Sequence, residues 1–313
     1  MNPSDIILHH TPRSAYAEKI RLMLDTVSAD WKQVKAPVHT NKRVFQRRLV
    51  EGYSRRIPLL QIGADVFCDT DVITHELATV LQVEAYSKEN LTEEGRQFVI
   101  DAESKYFAAF LGSLPPADIM KSYFKDYPLK DFYGFVMGRV QSFKGRKLET
   151  IPHDQAVKLR DLYLDDAENR LKKSPYLFSS EAPTLADFSF YHLLWYQFLN
   201  NNPTDFTKRP NLENWYKKLT SKRKGEPQAY TPEQVAGMVK KIQPRPVPES
   251  MKQSSRIGQT LTLQPSDDAG PATLPTTGVI VGEDDYKIIL KREDPEMGTI
   301  HVHYPKCALG ACL

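Results

Sequence analysis

Apolar positions fall in short runs early in the chain and at helical spacing afterwards. Ile6, Ile7 and Leu8 form an apolar run that predicts a strand over 6–9, ending in a polar turn. Tyr16, Ile20 and Leu24 then recur one helical turn apart and predict a helix over 14–26. Residues 31–34 read as a second strand, parallel to the first, which implies a right-handed crossover. Residues 40–50 are polar, basic and weakly helical. Strands over 59–62 and 66–68 flank Gly63, Ala64 and Asp65, a hairpin signal, and 70–80 follow as a helix. Pro58 has no N–H for a sheet ladder, so it belongs at the start or edge of a strand.

After a polar linker over 82–90 the spacing is helical. Val99, Ala102, Tyr106 and Ala109 mark one stripe, broken by Pro115 and Pro116; Phe132, Phe135, Val136, Arg139 and Val140 mark the next; Leu164, Ala167 and Leu171 another. Thr184 caps a helix with Phe188, Tyr191, Trp195 and Phe198 on one face. Thr184 and Asp187 stand at capping-box spacing, with Asp where Glu or Gln is preferred, and read as structural. A short helix covers 211–219, and no internal repeat is evident. The character changes after Lys222. A helix is expected over 231–242, then a stiff QPRPVP linker over 243–248. Residues 254–277 are rich in Ser, Thr, Pro, Gly and Asp. Strand-like segments at 278–281, 286–290 and 299–304 predict a small β element in this tail. The expected division is 1–82, 89–224 and a 225–313 extension.

Composition narrows the class without deciding it. The 313 residues are 41% apolar and 26% charged, ordinary for a globular chain of about two domains. A formal charge of +3, with both signs interspersed, shows no broad nucleic-acid footprint. The amino terminus lacks a charged and then apolar leader, and no apolar run approaches membrane-spanning length, so an unexported protein without membrane contact is expected. Cys68, Cys307 and Cys312 make no disulfide framework in a chain this long, which fits a reducing cytoplasm.

Three segments carry a resemblance. Residues 8–24, LHHTPRSAYAEKIRLML, place Ser14 at a helix start. Residues 55–78, RRIPLLQIGADVFCDTDVITHELA, run from an Ile-Pro step through a hairpin to Asp69-Thr70 at the next helix start. Residues 182–190, APTLADFSF, hold the capping segment. In order and spacing these resemble the cytosolic glutathione transferase superfamily, in the form of a bacterial glutathione-transferase-like protein with a carboxy-terminal extension. The likeness covers roughly residues 6–219. It implies a thioredoxin-like α/β amino-terminal domain, an all-α carboxy-terminal domain and a cis proline at Pro58, and it is silent on the extra β-containing tail. A cis Pro58 is expected to turn the peptide groups of Ile57 outward, able to pair with an extended peptide.

The chemistry follows from a thiol. A free thiol titrates near 8.5, so only a few per cent is thiolate at pH 7, and the thiolate is the nucleophile. A hydroxyl at a helix start offers a donor, unpaired N–H groups and partial positive charge. Taken alone, Ser14 reads as an N-cap. The resemblance gives its position to the residue that contacts the glutathione sulfur, with Tyr16, Arg13 and Thr11 as second choices and His10 as a packed or solvated histidine. It also implies that Asp69 meets the γ-glutamyl ammonium, Thr70 its carboxylate, and Ile57, before Pro58, the main chain of the cysteinyl residue. Lys42 or Arg55 is expected at the glycine carboxylate. The capping alternative, with Thr70 as an ordinary N-cap, stands beside this. The electrophile pocket would draw on Tyr106, Phe107, Phe110, Tyr123, Phe124 and Tyr133. His301, His303, Cys307 and Cys312 lie close in sequence but match no common zinc spacing; no metal is expected, a zinc site and a reversible disulfide stand as alternatives, and the residues read otherwise as ordinary surface positions. The expected function is transfer of the glutathione thiolate, as co-substrate, to a small hydrophobic electrophile, or related isomerase or lyase chemistry, in a homodimer. The alternative is a non-catalytic interaction protein on the same fold, with binding carried by the tail.

Overall fold

The computed structural model describes residues 2, 4–128, 133–134, 136–137, 151–263 and 275–306. The stripe expected at Phe132, Phe135, Arg139 and Val140 lies outside them, as do Cys307 and Cys312. The chain begins β1 (Ile6–His10), α1 (Ala15–Thr26), β2 (Trp31–Lys35), α2 (Val44–Val50), β3 (Leu59–Ile62), β4 (Asp65–Cys68) and α3 (Thr70–Val80). β1 pairs parallel with β2 and antiparallel with β3, and β3 forms the hairpin with β4. This is the thioredoxin-like half.

A helical half follows. α4 (Glu93–Asp101) continues through a π turn (Ala102–Tyr106) into α5 (Phe107–Gly112), and Pro116 opens α6 (Pro116–Asp126). Then come α7 (His153–Leu171), α8 (Leu185–Leu199) and α9 (Pro210–Thr220). α8 is apolar nearly all round because neighbours enclose it: Phe188, Phe190, Tyr191, Leu193 and Leu194 are all buried.

Side chains alternate across the strands, so β1 serves two cores. Ile6 and Leu8 join Leu60, Phe67, α1, α3 and the helical half in one cluster. Ile7 joins Leu59, Val66 and Cys68 in the other. Both sheet faces are covered, which is why the run Ile6-Ile7-Leu8 is apolar without alternation.

The second cluster is completed by the extension. After α10 (Pro232–Val239) come β5 (Thr260–Leu263), β6 (Thr276–Glu283), β7 (Lys287–Asp294) and β8 (Gly298–Pro305). β8 pairs parallel with β4, and the described strands make one eight-stranded sheet in the order β2-β1-β3-β4-β8-β7-β6-β5. On the far side the Gln33 amide donates to the Gln228 carbonyl (2.9 Å) and the Tyr230 amide to the Gln33 carbonyl (2.8 Å). The extension therefore covers the β4 edge with a full strand and meets the β2 edge at a single bridge, Gln33 with Ala229, so that the β4 edge is not left as a template for foreign strands. The imidazole Nε2 of His303 meets Asp65 Oδ1 at 2.8 Å, and its ring stacks on Phe67 at 4.2 Å. His303 thus fastens β8 to β4. Among the described residues no group of three or more His, Cys, Asp or Glu is arranged to hold a metal.

The capping box at Thr184 is a buried hub. Asp187 Oδ2 accepts from the Thr184 amide (2.9 Å) and hydroxyl (3.1 Å), and Oδ1 from the Leu177 amide (2.9 Å) and Trp215 Nε1 (2.8 Å). Asp187→Ala strands these buried donors and is expected to cost about 3 kcal/mol, read as a lower urea midpoint with an unchanged slope.

Candidate active site

The turn after β1 delivers Ser14 to the start of α1. Ser14 is the N-cap, half-buried, and its Oγ accepts the Ala17 amide at 3.2 Å. A hydroxyl has two lone pairs and one proton, so accepting from Ala17 leaves its O–H to donate. Its neighbours have other duties. Arg13 is buried and tied to the helical half: Nη2 donates to Ser122 Oγ (2.6 Å) and Asn200 Oδ1 (2.9 Å), Nη1 pairs with Asp126, and the guanidinium lies over Tyr123. The Tyr16 hydroxyl donates to the Glu103 carbonyl at 3.0 Å. Its ring touches Phe107 and His192, with centroids 5.1 and 5.2 Å away. Thr11 is buried. His10 is packed rather than solvated, held by Gln33 and Arg21, and burial beside Arg21 lowers its pKa to about 3.

The Ile57–Pro58 bond is cis, directly before β3; Pro58 is buried and Ile57 half-buried. The loop ahead of it is organised by Arg43, whose Nη1 donates to the carbonyls of Ser54 (3.2 Å) and Arg55 (3.0 Å). Lys42 is exposed and closes a 3-10 turn over Thr40–Lys42.

β4 ends at Cys68, and at the next residue, Asp69, capping departs from expectation. The N-cap of α3 is Asp69, not Thr70; Thr70 is the buried first residue of the helix. Asp69 sits at φ +73°, a region that disfavours side chains. Its Oδ1 accepts the Asp71 amide (3.0 Å) and its Oδ2 the Tyr53 hydroxyl (3.2 Å). The short side chain of Asp reaches its own helix's amides, which favours it over Thr as the cap. Burial raises the Asp69 carboxyl, and the charges of Asp71 and Glu103 push the same way.

Those charges mark an ionic cluster behind the two helix starts. Lys19 of α1, 1% exposed, pairs with Glu103 at 2.6 Å, and Ser189 donates to the same carboxylate at 2.8 Å. Burial pushes the Glu103 carboxyl up, but Lys19, Lys88 and the Ser189 hydroxyl together hold the group below its ordinary value. Lys88 pairs with Asp71 at 2.5 Å. The sequence held one sign of this: Lys19 stands among Tyr16, Ile20 and Met23 on the apolar stripe of α1, where an unpaired ammonium would be costly. Of the aromatic residues expected around an electrophile, Phe107 is in contact with Tyr16, two residues from Ser14. Tyr106 stacks on Tyr163, Phe110 and Tyr123 are core, and Phe124 and Tyr133 are exposed.

Residues 8–79 match the family model for the glutathione S-transferase N-terminal domain, and residues 143–222 that for its C-terminal domain. The chain belongs to the glutathione transferase superfamily. No curated protein sequence matches it. Among solved structures, a GST-like protein from Pseudomonas syringae is 22% identical and superposes with a TM-score of 0.72 over 97% of this chain and 98% of its own. At that coverage the shared fold takes in the extension. A glutathione S-transferase-I bound with lactoylglutathione is 16% identical, with a TM-score of 0.50 over 69% of this chain and 94% of its own. No helix among the described residues is long and apolar enough to cross a membrane.

Proposed function

We propose that this glutathione transferase superfamily member joins the thiolate of glutathione to a small hydrophobic electrophile, with Ser14 as the catalytic residue. The observation that carries the reading is the state of Ser14: a half-buried hydroxyl at a helix start, accepting from its own helix at 3.2 Å and left with a proton to give. A hydrogen bond to the charged form of a thiol favours that form. Each unit of lowered thiol pKa corresponds to about 1.4 kcal/mol. A charge-assisted bond together with the helix start supplies roughly one to two units.

In this reading the sulfur lone pair forms the bond to the electrophilic carbon. The leaving group takes its electrons with it, or an adduct gains a proton from solvent, and the protein forms no covalent intermediate. Asp69 takes the γ-glutamyl ammonium, the hydroxyl and amide of Thr70 its carboxylate, and the main chain of Ile57, before Pro58, the cysteinyl peptide. A carboxylate has about four acceptor positions, so the bonds Asp69 already accepts leave room for an ammonium. Tyr16 and Phe107 form one wall for the electrophile. The protein works as a homodimer in the reducing cytoplasm.

A second reading rests on a specific departure. Asp69 and Thr70 replace the longer acid and the serine of the family pattern, and the extension adds a surface for a partner; a non-catalytic interaction protein would need neither thiolate nor electrophile. Retention on immobilised glutathione, followed by turnover of an electrophile panel, separates the two. The expected result is retention by the wild-type chain and a fall in kcat/KM of about 10- to 100-fold in Ser14→Ala, the worth of one hydrogen bond to a charged group. No retention and no turnover by the wild type would establish the interaction reading instead.

A further inference from the structure

Asp69 is held at both carboxylate oxygens, and each holder is in turn held by the extension. On one side Oδ1 accepts the Asp71 amide at 3.0 Å, and the carbonyl of that same Asp71 accepts the Tyr286 hydroxyl at 2.7 Å. Tyr286 stands in the turn between β6 and β7, its ring 4.7 Å from His75 of α3. On the other side Oδ2 accepts the Tyr53 hydroxyl at 3.2 Å, and the Tyr53 ring meets the buried Tyr304 of β8 edge-on at 5.6 Å.

The turn that carries Tyr53 is clamped by the same sheet. Arg292 of β7 donates from Nη1 to the carbonyls of Arg48 (3.0 Å) and Leu49 (2.6 Å), and from Nη2 to Glu51 Oε1 (2.7 Å). The hydroxyl of Thr276 donates to the Val50 carbonyl at 3.0 Å, and the Thr277 amide to Glu51 Oε2 at 2.9 Å. Glu51 stands at φ +45° and Asp69 at φ +73°. Two unfavourable backbone conformations thus flank this corner, and such conformations persist only where surrounding contacts over-determine them.

We infer that the carboxy-terminal extension is a brace for the ligand site, with Tyr286 and Arg292 as positioning residues that hold Asp69 where a ligand's ammonium group meets it. This rests on the reading of Asp69 as the ammonium acceptor. Neither Tyr286 nor Arg292 touches ligand; each acts through the backbone that carries Asp69 or Tyr53. A site built this way favours glutathione over its deaminated analogue, in which a glutaryl group replaces γ-glutamyl, and that preference depends on the brace.

The test uses the full-length chain as wild type, Tyr286→Phe and Arg292→Gln. Three quantities are measured: amide hydrogen exchange across residues 69–73, dissociation constants for glutathione and for the deaminated analogue, and steady-state kinetics. Loss of one hydrogen bond predicts exchange faster by about five- to tenfold in Tyr286→Phe and glutathione binding weaker by about the same factor. Binding of the analogue is expected to change less than about twofold, and the kinetic loss to fall on KM rather than kcat. Arg292→Gln is expected to shift the same preference in the same direction. Unchanged exchange in Tyr286→Phe overturns the brace, and so does faster exchange with the glutathione preference intact. Equal wild-type affinity for both ligands, or for neither, overturns the ammonium reading of Asp69 itself. The wild-type titrations alone decide that point, while the exchange data judge the brace separately.

Discussion

Truncation after Ile242 is expected to leave a chain that does not fold. The cut removes β5 to β8, and with them Leu263, Ile280, Ile288, Leu290, Met297, Ile300, Val302 and Tyr304 from the second hydrophobic cluster. What remains is damaged more than what is lost. Val50, Tyr53, Leu59, Val66 and Cys68, all buried, lose a neighbouring layer. Even at about 1 kcal/mol for each newly exposed side chain, the deficit reaches the order of the whole stability of a domain, about 5–15 kcal/mol. β4 keeps β3 but loses β8 and becomes an open edge beside an apolar face, the arrangement most prone to aggregation. The carbonyls at the end of α2 lose Arg292, and Asp65 loses His303. Soluble yield and thermal unfolding followed by circular dichroism provide the check. The expected outcome is aggregated material with no cooperative transition. A truncated chain melting cooperatively within a few degrees of the full chain would show the extension to be an independent appendage.

Mild acid is expected to destabilise the protein steeply. His9, His10 and His192 are buried, and burial lowers their pKa values from 6.5 to about 4, 3 and 3. In the folded state they stay neutral at pH 5, whereas in the unfolded chain they take up protons below about pH 6.5. The unfolded state therefore binds more protons throughout that window, and stability falls as pH drops from 6.5 towards 4. Each of the three contributes a loss of about 2 kcal/mol at pH 5, taking 1.36 kcal/mol per unit. His303, also lowered by burial, adds in the same direction. Asp69 and Asp187, whose carboxyls burial raises, oppose it, because their folded forms hold protons more tightly than the unfolded chain. The histidines outnumber them, and the net sign is loss. Urea denaturation at pH 7.5 and pH 5.0 measures the effect: the expected result is a large fall in midpoint, reduced in His192→Phe, which removes one titrating group. A midpoint independent of pH over this interval would show that the buried imidazoles take up protons without opening the fold.

The local elements were largely legible in the sequence. The helix Thr70–Val80 and strand Leu59–Ile62 were expected over those same residues, because their periods and flanking turn residues are local properties. Helix starts at Ser14 and Thr184 were legible for the same reason, since capping chemistry is written within four residues. The cap of α3 was misplaced by one residue, between two side chains that both suit an N-cap. β5 was missed: its four residues, Thr260–Leu263, form a half-exposed edge strand in a stretch rich in turn formers. The addition of β8 to β4 was not legible, because the contact that fastens it joins His303 to Asp65 across 238 positions. The expected small β element is part of the same sheet as the thioredoxin-like strands.

The proposed site divides along the same line. Ser14, Pro58, Asp69 and Thr70 announce themselves through turn, strand-start and capping patterns. Tyr53, Tyr286 and Arg292 do not, since nothing in a tyrosine or arginine on a polar segment says which remote carboxylate or carbonyl it will reach. The Lys19–Glu103 pair lies between these cases: a lysine on the buried stripe of α1 calls for a partner but does not name it.

A crystal structure with glutathione bound bears most directly on the proposed chemistry. The expected result places the sulfur within hydrogen-bond distance of Ser14 Oγ, with the cysteinyl peptide along Ile57 and the ammonium at Asp69. A ligand whose sulfur lies away from Ser14, or a crevice occupied by the protein's own side chains, would contradict it.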